Sequence, residues 1–229
     1  MLQKLILTSD GSHSIELPEL GVTYHSIHGA IQESTHVFIN AGLKIAAQVF
    51  PADPVKIFEM GFGTGLNALL SLIDGERCNR TIVYDAIEGF PLQNDRIMSL
   101  NYCKELGRDD LQPAFEYFHS CEWEKEIPVT PRFILRKSNV NLLTAQLSGG
   151  YSLIYFDAFD PGVQPELWTE EIFAKMFSML QPGGLLVTYS SKGTVRRAMQ
   201  AVGFKIEKLA GPPGKREMIR GTRPTQYRN

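Results

Sequence analysis

Three glycines, at positions 61, 63 and 65, alternate with other residues directly after the apolar run Val55–Met60. Glycine adopts backbone conformations that other residues avoid, and it lets main-chain amides approach a ligand closely. The G-x-G-x-G spacing differs from the G-x-G-x-x-G of dinucleotide sites, and no Gly-Lys-Ser/Thr follows it as in a P-loop. Glu59, just before the first glycine, would repel a pyrophosphate but not a cation. The loop therefore favours a cationic ligand over a phosphate.

The same loop resembles motif I of the class I S-adenosylmethionine-dependent methyltransferases. A second requirement of that family is an acidic residue at the end of the next strand, where its carboxylate can accept hydrogen bonds from the ribose hydroxyls. Glu88 ends the run Thr81–Glu88 at that place.

In this fold the third strand ends in a polar residue near the adenine, which would be Ser138 or Asn139. A glycine turn that only tightens a strand–helix junction is the structural alternative. The residues predicted to bind the cofactor S-adenosylmethionine are Glu33, Glu59, Gly61, Phe62, Gly63, Gly65, Asn67, Glu88 and Ser138.

A second set of reactive residues follows the strand predicted over residues 151–159, which ends Asp157-Ala158-Phe159-Asp160-Pro161. Methyl transfer from a sulfonium needs a nucleophile held in line at short distance. An amine acceptor must be neutral to attack, and Asp157 could orient it and receive its proton, directly or through water. Phe159 could flank the cationic centre through a cation–π contact. We therefore predict Asp157 and Phe159 as catalytic residues; the alternatives are a turn-capping Asp157 and a core Phe159.

Strands that alternate with helices must position these residues. We predict five strands of a mainly parallel sheet, at 55–60, 81–88, 131–138, 151–159 and 183–191, followed by two terminal strands that pair antiparallel around Gly211–Gly214. Such alternation predicts an α/β, Rossmann-like fold with an antiparallel C-terminal edge. Residues 1–50 are interpreted as an N-terminal lead-in and lid segment, with a helix beginning near Ser34 or Thr35, and residues 51–229 as the methyltransferase domain of a single compact unit.

Charge is distributed unevenly along the 229 residues. The whole chain has a net charge of −2, but ten Lys and Arg against two Glu give residues 192–229 a charge of +8, and the remainder carries −10. This asymmetry predicts an anionic partner for the C-terminal part or, alternatively, a solvated basic tail.

Composition bounds the location and the metal content. No apolar run reaches eighteen residues, the N-terminus lacks the features of a signal peptide, and three widely spaced cysteines suit a reducing compartment, so we expect a cytoplasmic protein without a membrane partner. The five histidines have no metal-ligand spacing and are expected at the surface or in loops. No metal is predicted.

Seven segments together resemble the methyltransferase half of the bifunctional MnmC enzymes, which modify the wobble uridine of tRNA. GFGTGLN and the series PGG, VRR, GF and KREM are specific in combination. The segments are 24–26, 33–38, 61–67, 88–92, 155–173, 181–204 and 214–221.

The resemblance implies that S-adenosylmethionine methylates the exocyclic amine of 5-aminomethyl-2-thiouridine in the tRNA anticodon loop. It also implies that Glu33 closes over the cofactor and that Arg196, Arg197, Lys215 and Arg216 contact tRNA phosphates. The flavin-dependent oxidase half of the family is absent from these 229 residues, so no FAD is expected, and the chain would act alone on the aminomethyl form or with a separate FAD-dependent oxidase. Ala158 and Asp160 depart from the family's usual Asp-Gly-Phe-Ala-Pro, which leaves the exact nucleoside open. The alternatives are methylation of a small amine metabolite and a non-catalytic cofactor-binding module.

Overall fold

The computed structural model describes residues 2–145 and 147–225, and Arg228, one of the ten basic residues counted in the C-terminal part, lies outside them. An eight-stranded sheet has the order β10-β11-β9-β8-β4-β5-β7-β6, and a separate three-stranded sheet has the order β1-β2-β3. The strands are β1 Lys4–Leu7, β2 His13–Leu17, β3 Val22–Thr23, β4 Val55–Met60, β5 Ile82–Ile87, β6 Ile127–Thr130, β7 Phe133–Ser138, β8 Tyr151–Phe156, β9 Leu180–Thr188, β10 Lys205–Ala210 and β11 Glu217–Thr222.

The main sheet confirms the predicted fold. Strands β9, β8, β4, β5 and β7 run parallel, and β10 and β11 pair antiparallel at one edge. The sequence did not reveal β6, which pairs antiparallel with β7 at the opposite edge. Because β5 lies on one side of β4 and β8 on the other, the strand order reverses at β4, and a crevice for ligands is expected at that point.

Helices cover both faces of this sheet. They are α1 Ala30–Ser34, α2 Lys44–Val49, α3 Leu66–Arg77, α4 Asn94–Ile97, α5 Tyr102–Glu105, α6 Gln112–Ser120, α7 Glu170–Met179 and α8 Gly193–Ala201. Alternate side chains of a strand point to opposite faces. Along β8, Leu153 and Tyr155 accordingly pack with α3, whereas Ile154 and Phe156 pack with α7 and α8.

The prediction that the first long helix begins at Ser34 or Thr35 is wrong. Helix α1 begins at Ala30, continues through a π-helical segment, Thr35–Leu43, and runs on into α2. Its first amides are satisfied from far away in the sequence, because Gln32 N–H donates to Asp10 (2.9 Å) and Ala30 N–H to Ser12 (3.2 Å). A cap supplied by the β1–β2 turn leaves no local signal of the kind that Ser or Thr gives.

The lead-in is more structured than the sequence suggests, and it joins the main core. Within it, β2 pairs antiparallel with both β1 and β3. The π-helical segment packs on β8 and β9, with Phe38 against Tyr155 at 5.1 Å between ring centroids. Gly42 permits this close approach, since a Cβ there would lie 3.0 Å from a methyl group of Val187. The core therefore runs across the boundary that we placed at residue 50.

Candidate active site

The carboxyl ends of three neighbouring strands lie side by side. Met60 at the end of β4 pairs with Ile87 of β5 and with Phe156 of β8. The residues that follow, Gly61, Glu88 and Asp157, are thereby brought to one edge of the sheet, and the peptide N–H of Asp157 donates to Met60 O at 3.2 Å. Parallel pairing thus assembles residues that are almost a hundred positions apart.

The glycine loop is held against the end of β5. Both Gly61 N–H and Phe62 N–H donate to Ile87 O at 3.1 Å, and Gly63 N–H donates to the Glu88 carboxylate at 2.9 Å. Gly63 has a φ of +49°, and a Cβ on it would lie 3.1 Å from the Tyr24 ring. Glycine is therefore required here both by the backbone conformation and by the neighbouring ring.

A cavity of about 970 Å³ opens over these strand ends. Its size lies near the upper end of the roughly 300–1,000 Å³ of small-molecule sites, which leaves room for a cofactor and part of an acceptor. The glycine loop, the residues after Glu88 and the residues after β7 line one part of it. The residues after β8, Tyr189 and Lys215 line another part, which we call the acceptor end, and Tyr24 of the lead-in contacts both the glycine loop and Phe159. The lining includes Tyr24–Ile27, Glu33, Gly61–Thr64, Asn67, Glu88–Phe90, Asn139–Leu143, Asp157–Asp160, Gln164, Tyr189 and Lys215.

Asn67 links the glycine loop to the acceptor side. Its side-chain nitrogen donates to Asp157 Oδ2 and to Glu59 Oε1, each at 2.9 Å. The amide oxygen of Asn67 is buried and has no partner among the residues that the structure describes. A buried acceptor without a donor is costly, so a ligand carrying N–H or O–H groups would be stabilised here.

Burial makes Asp157 a candidate proton acceptor at neutral pH. Desolvation raises the pKa of its carboxyl to about 7, and the negative charge of Glu33 adds to the rise. The Asn67 hydrogen bond and the positive charge of Lys215 act in the opposite direction. A carboxyl group with a pKa near the working pH can both take up and release a proton.

The charge and polarity of the lining fit S-adenosylmethionine. Glu33, Glu88, Asp157 and Asp160 place carboxylates around the cavity, whereas Lys215 is the only Lys or Arg among the described residues that line it. Such a lining attracts a sulfonium with an ammonium tail and repels a pyrophosphate. Six of the predicted cofactor residues line this cavity, and their role in holding the cofactor stays a prediction: Glu33, Gly61, Phe62, Gly63, Asn67 and Glu88.

Several predicted cofactor residues lie outside the cavity lining. Glu59 is 1% exposed and holds the Asn67 amide, and Gly65 begins helix α3 in a left-handed conformation. Ser138 accepts the Glu88 N–H through its backbone oxygen, while its neighbour Asn139 lines the cavity instead. Of the two adenine-side candidates, the position therefore favours Asn139, because the lining begins one residue beyond the end of β7.

The predicted nucleic-acid residues separate into two groups. Arg197 and Arg216 are exposed and Arg196 is half-buried, all outside the cavity lining. Lys215 instead turns its ammonium into the cavity, where it donates to Glu33 Oε1 at 2.6 Å. Glu33 also accepts the Ser26 N–H at 2.8 Å. No local pattern in the sequence indicates this ion pair, because its members are 182 residues apart.

Aromatic rings surround the acceptor carboxylate. Phe159 packs edge-to-face on Tyr24 with 5.2 Å between ring centroids, and the Tyr189 hydroxyl donates to Ala158 O at 2.8 Å. Trp168 belongs to the core, where its indole N–H donates to Phe159 O at 2.9 Å. Phe159 is thus partly buried and also lines the cavity, and its catalytic role stays a prediction.

The expectation that the histidines lie at the surface or in loops is wrong for His119, which lies in helix α6, whereas His25 does lie in a loop but is buried there. His25 is buried with Nε2 2.7 Å from Thr64 Oγ1, and His119 lies in α6 with Nε2 3.2 Å from Thr64 O. Desolvation lowers the pKa of each imidazole to about 4, so both are neutral near pH 7. Both imidazoles therefore contact Thr64 of the glycine loop, His25 at its side chain and His119 at its backbone oxygen. His25 lies in one of the segments that carry the resemblance, which was the only available signal.

No cluster of metal-ligating side chains occurs within residues 2–145 and 147–225. A search of those same residues finds no helix with the length and apolar character of a membrane span.

Comparison with known proteins identifies the type of fold and enzyme. Residues 126–224 match the family model described as S-adenosyl-L-methionine-dependent methyltransferase. A crystal structure of MNMC2 from Aquifex aeolicus superposes on 98% of this chain and 70% of that chain with a TM-score of 0.79 at 23% sequence identity. Spermidine synthase from Thermotoga maritima superposes on 99% of this chain and 72% of that chain with a TM-score of 0.55 at 13% identity. At these identities the superpositions establish the fold.

Curated relatives named tRNA 5-methylaminomethyl-2-thiouridine biosynthesis bifunctional protein MnmC match nearly the whole chain. The protein from Aromatoleum aromaticum is 30% identical over 95% of this chain and 35% of its own length. The one from Cupriavidus metallidurans is 30% identical over 93% of this chain and 33% of its own length. The chain therefore spans about a third of the length of these relatives.

Proposed function

We propose that this chain, an S-adenosylmethionine-dependent methyltransferase belonging with the methyltransferase part of the MnmC proteins, methylates the exocyclic amine of 5-aminomethyl-2-thiouridine at the tRNA wobble position. The observation that carries the proposal is the position of Asp157. Its carboxylate contacts Asn67 beside the glycine loop and faces an aromatic-lined space at the other end of the same cavity.

The chemistry requires a neutral amine. When bound, S-adenosylmethionine supplies an electrophilic methyl group on its sulfonium. The acceptor ammonium would first give one proton to Asp157, directly or through water, and the neutral nitrogen could then form the N–C bond as the S–C bond breaks, so that the methylated product carries the positive charge. A pKa of about 7 leaves this carboxyl ionised in a large fraction of molecules at neutral pH.

The aromatic side chains would orient the acceptor rather than react with it. Tyr24, Phe159 and Tyr189 all line the cavity near Asp157. Ring faces attract the positive charge that develops on the methylated nitrogen, and apolar rings exclude water that would compete as a solvent for the amine. Glu33, fixed by Ser26 N–H and Lys215, closes this side of the cavity.

The choice of tRNA as substrate is supported by the names of the relatives and by the basic residues of the C-terminal part. Arg197 and Arg216 are exposed, as phosphate-binding residues must be. On substrates that still carry a carboxymethyl group, the proposal requires a FAD-dependent oxidase to expose the amine first.

Transfer of a labelled methyl group tests the proposal. The substrate is tRNA bearing 5-aminomethyl-2-thiouridine, and digestion to nucleosides should show label in 5-methylaminomethyl-2-thiouridine alone. The matched control is tRNA with unmodified uridine at the same position, which should remain unlabelled. No transfer to the aminomethyl tRNA by protein that binds S-adenosylmethionine would overturn the proposal and favour a non-catalytic module.

A small-amine acceptor is the second candidate, favoured by the carboxylate-rich lining of the cavity. Free 5-aminomethyluridine and simple diamines, assayed beside the tRNA, distinguish the two. Methylation of the diamines with a higher kcat/KM than the tRNA would establish the metabolite reaction.

A further inference from the structure

Lys215 places an alkylammonium group at the acceptor end of the cavity. Its Nζ lies 2.6 Å from Glu33 Oε1 and 3.8 Å from the centroid of the Tyr189 ring. A carboxylate and an aromatic face are the two groups that bind an alkylammonium ion best in proteins. The position of Nζ therefore marks an ammonium-binding subsite.

The groups that form this subsite are held in place independently of Lys215. Glu33 is 6% exposed and accepts the Ser26 N–H through its other oxygen at 2.8 Å. The Tyr189 ring is fixed through its hydroxyl, which donates to Ala158 O at 2.8 Å. The subsite would therefore persist if another ammonium replaced that of the lysine.

The backbone that carries Lys215 is held by contacts with the lead-in, whereas part of its side chain faces solvent. The β10–β11 turn rests on the lead-in, because Ala210 O lies 2.8 Å from His36 Nε2 and a Cβ on Gly214 would lie 2.1 Å from the His28 ring. The Lys215 side chain nevertheless keeps 34% of its surface in solvent. Rotation about its side-chain bonds can move the ammonium into water without moving the turn.

The subsite borders the proton acceptor of the proposed reaction. Tyr189 follows β9 and Asp157 follows β8, and these strands are neighbours in the sheet. The acceptor that we propose carries a primary aminomethyl group, which is chemically equivalent to the end of a lysine side chain.

We propose, building on the proposed function, that the subsite filled by Lys215 is the binding site of the acceptor ammonium, and that the substrate displaces the lysine when it binds. Lys215 then acts as an internal competitor that neutralises Glu33 in the free protein. Cationic, unhindered amines are selected, because a neutral group could not replace the lysine opposite a buried carboxylate.

Binding of nucleosides to the Lys215→Ala variant tests this inference without methyl transfer. An internal competitor reduces the apparent affinity in proportion to the fraction of time for which it leaves the site free. We expect calorimetry to show 5-aminomethyluridine binding about ten-fold or more tightly to Lys215→Ala than to the unaltered protein. Uridine should bind equally to both, and the double variant Lys215→Ala/Glu33→Gln should lose the gain.

Lys205→Ala is the matched control, because Lys205 is exposed on β10 and should leave both affinities unchanged. Unchanged or weaker binding of 5-aminomethyluridine to Lys215→Ala would overturn the inference.

A measurement on the unaltered protein covers the case in which the variant does not fold. Acylation of lysines by an activated ester, followed by peptide mass spectrometry, reports how often each amine is free. Saturating 5-aminomethyluridine should increase the ratio of Lys215 labelling to Lys205 labelling several-fold, whereas uridine should leave this ratio unchanged. Taking the ratio corrects for the reagent that the amine of the nucleoside consumes. A ratio that stays constant or falls overturns the displacement.

The inference and the proposed function fail separately. If aminomethyl tRNA is methylated but the variant gains no affinity, only the displacement by substrate is wrong. If the variant gains affinity for the amine but no tRNA is methylated, the ammonium subsite stands and the tRNA reaction is wrong.

Discussion

The side-chain nitrogen of Asn67 lies 2.9 Å from Asp157 Oδ2. The same nitrogen lies 2.9 Å from Glu59 Oε1, so one N–H serves each carboxylate and the orientation of the amide is fixed. Glu59, predicted as a cofactor ligand, thus acts through Asn67 on the position of Asp157. The amide oxygen is left without a partner among the described residues, beside the glycine loop.

The first prediction concerns Asp157 as the proton acceptor. Its pKa of about 7 means that the active, ionised form gains as pH rises from 6 to 8, so kcat/KM should rise over that range and level off above it. Asp157→Asn should lower turnover by about 10²-fold or more and abolish this rise, while calorimetry should show little change in S-adenosylmethionine affinity.

Asp160→Asn provides the matched control for this profile. Asp160 is partly exposed and pairs with Lys192 at 2.5 Å, so its removal should preserve the rise of kcat/KM with pH. Turnover of Asp157→Asn close to that of the unaltered protein would remove Asp157 from the mechanism.

The second prediction concerns Glu88 and the cofactor. Its two oxygens accept from Gly63 N–H at 2.9 Å and from Phe90 N–H at 2.8 Å, which orients the carboxylate at the cavity edge. Glu88→Ala should weaken S-adenosylmethionine binding by roughly 1–3 kcal/mol through the loss of charge-assisted hydrogen bonds. Calorimetry measures the change, with exposed Glu126→Ala as a control that should leave affinity unaltered. Equal affinities in both variants would exclude Glu88 as a ligand.

The parallel core and the residues at its carboxyl edge were predictable from the sequence. Each depends on a short local signal: an apolar run, then a turn that needs glycine at Gly61 and Gly63, or a run that ends in an acid such as Glu88 or Asp157. Parallel pairing does the rest, because strands in register bring their ends together.

The features that could not be predicted from the sequence depend on contacts between residues that are far apart in the chain. The start of α1 is capped by Asp10, Lys215 reaches back to Glu33, and His25 reaches forward to Thr64. None of these pairs has a spacing that a helix or strand would repeat, and burial of a histidine depends on neighbours from other elements. Only the folded chain shows them.

The third prediction concerns the exposed arginines as phosphate-binding residues. Each lost phosphate contact should reduce the slope of log affinity against log salt by about 1 and weaken binding to all tRNA sequences alike. Arg197→Ala and Arg216→Ala should therefore lower tRNA affinity at low salt without changing S-adenosylmethionine affinity, as measured by filter binding and calorimetry. Exposed Arg132→Ala, on the turn before β7, is the control with matched charge loss. A slope equal to that of the control would place the tRNA elsewhere.

The fourth prediction concerns His25 and His119, the two neutral histidines that contact Thr64. In the unfolded chain each imidazole has a pKa near 6.5, whereas burial lowers the pKa to about 4 in the folded protein. Between these values the unfolded state binds more protons, so the free energy of unfolding falls as pH falls, by about 2 kcal/mol for each histidine at pH 5. The raised pKa of Asp157 acts in the opposite direction, so the variants are compared with the unaltered protein.

Urea unfolding of His25→Gln and of His119→Gln, measured at pH 7 and pH 5, tests this. Between these two pH values each variant should lose about 2 kcal/mol less of its free energy of unfolding than the unaltered protein loses. Exposed His28→Gln should lose as much stability as the unaltered protein, and an identical loss in all three variants would mean that the buried imidazoles become protonated without unfolding the chain.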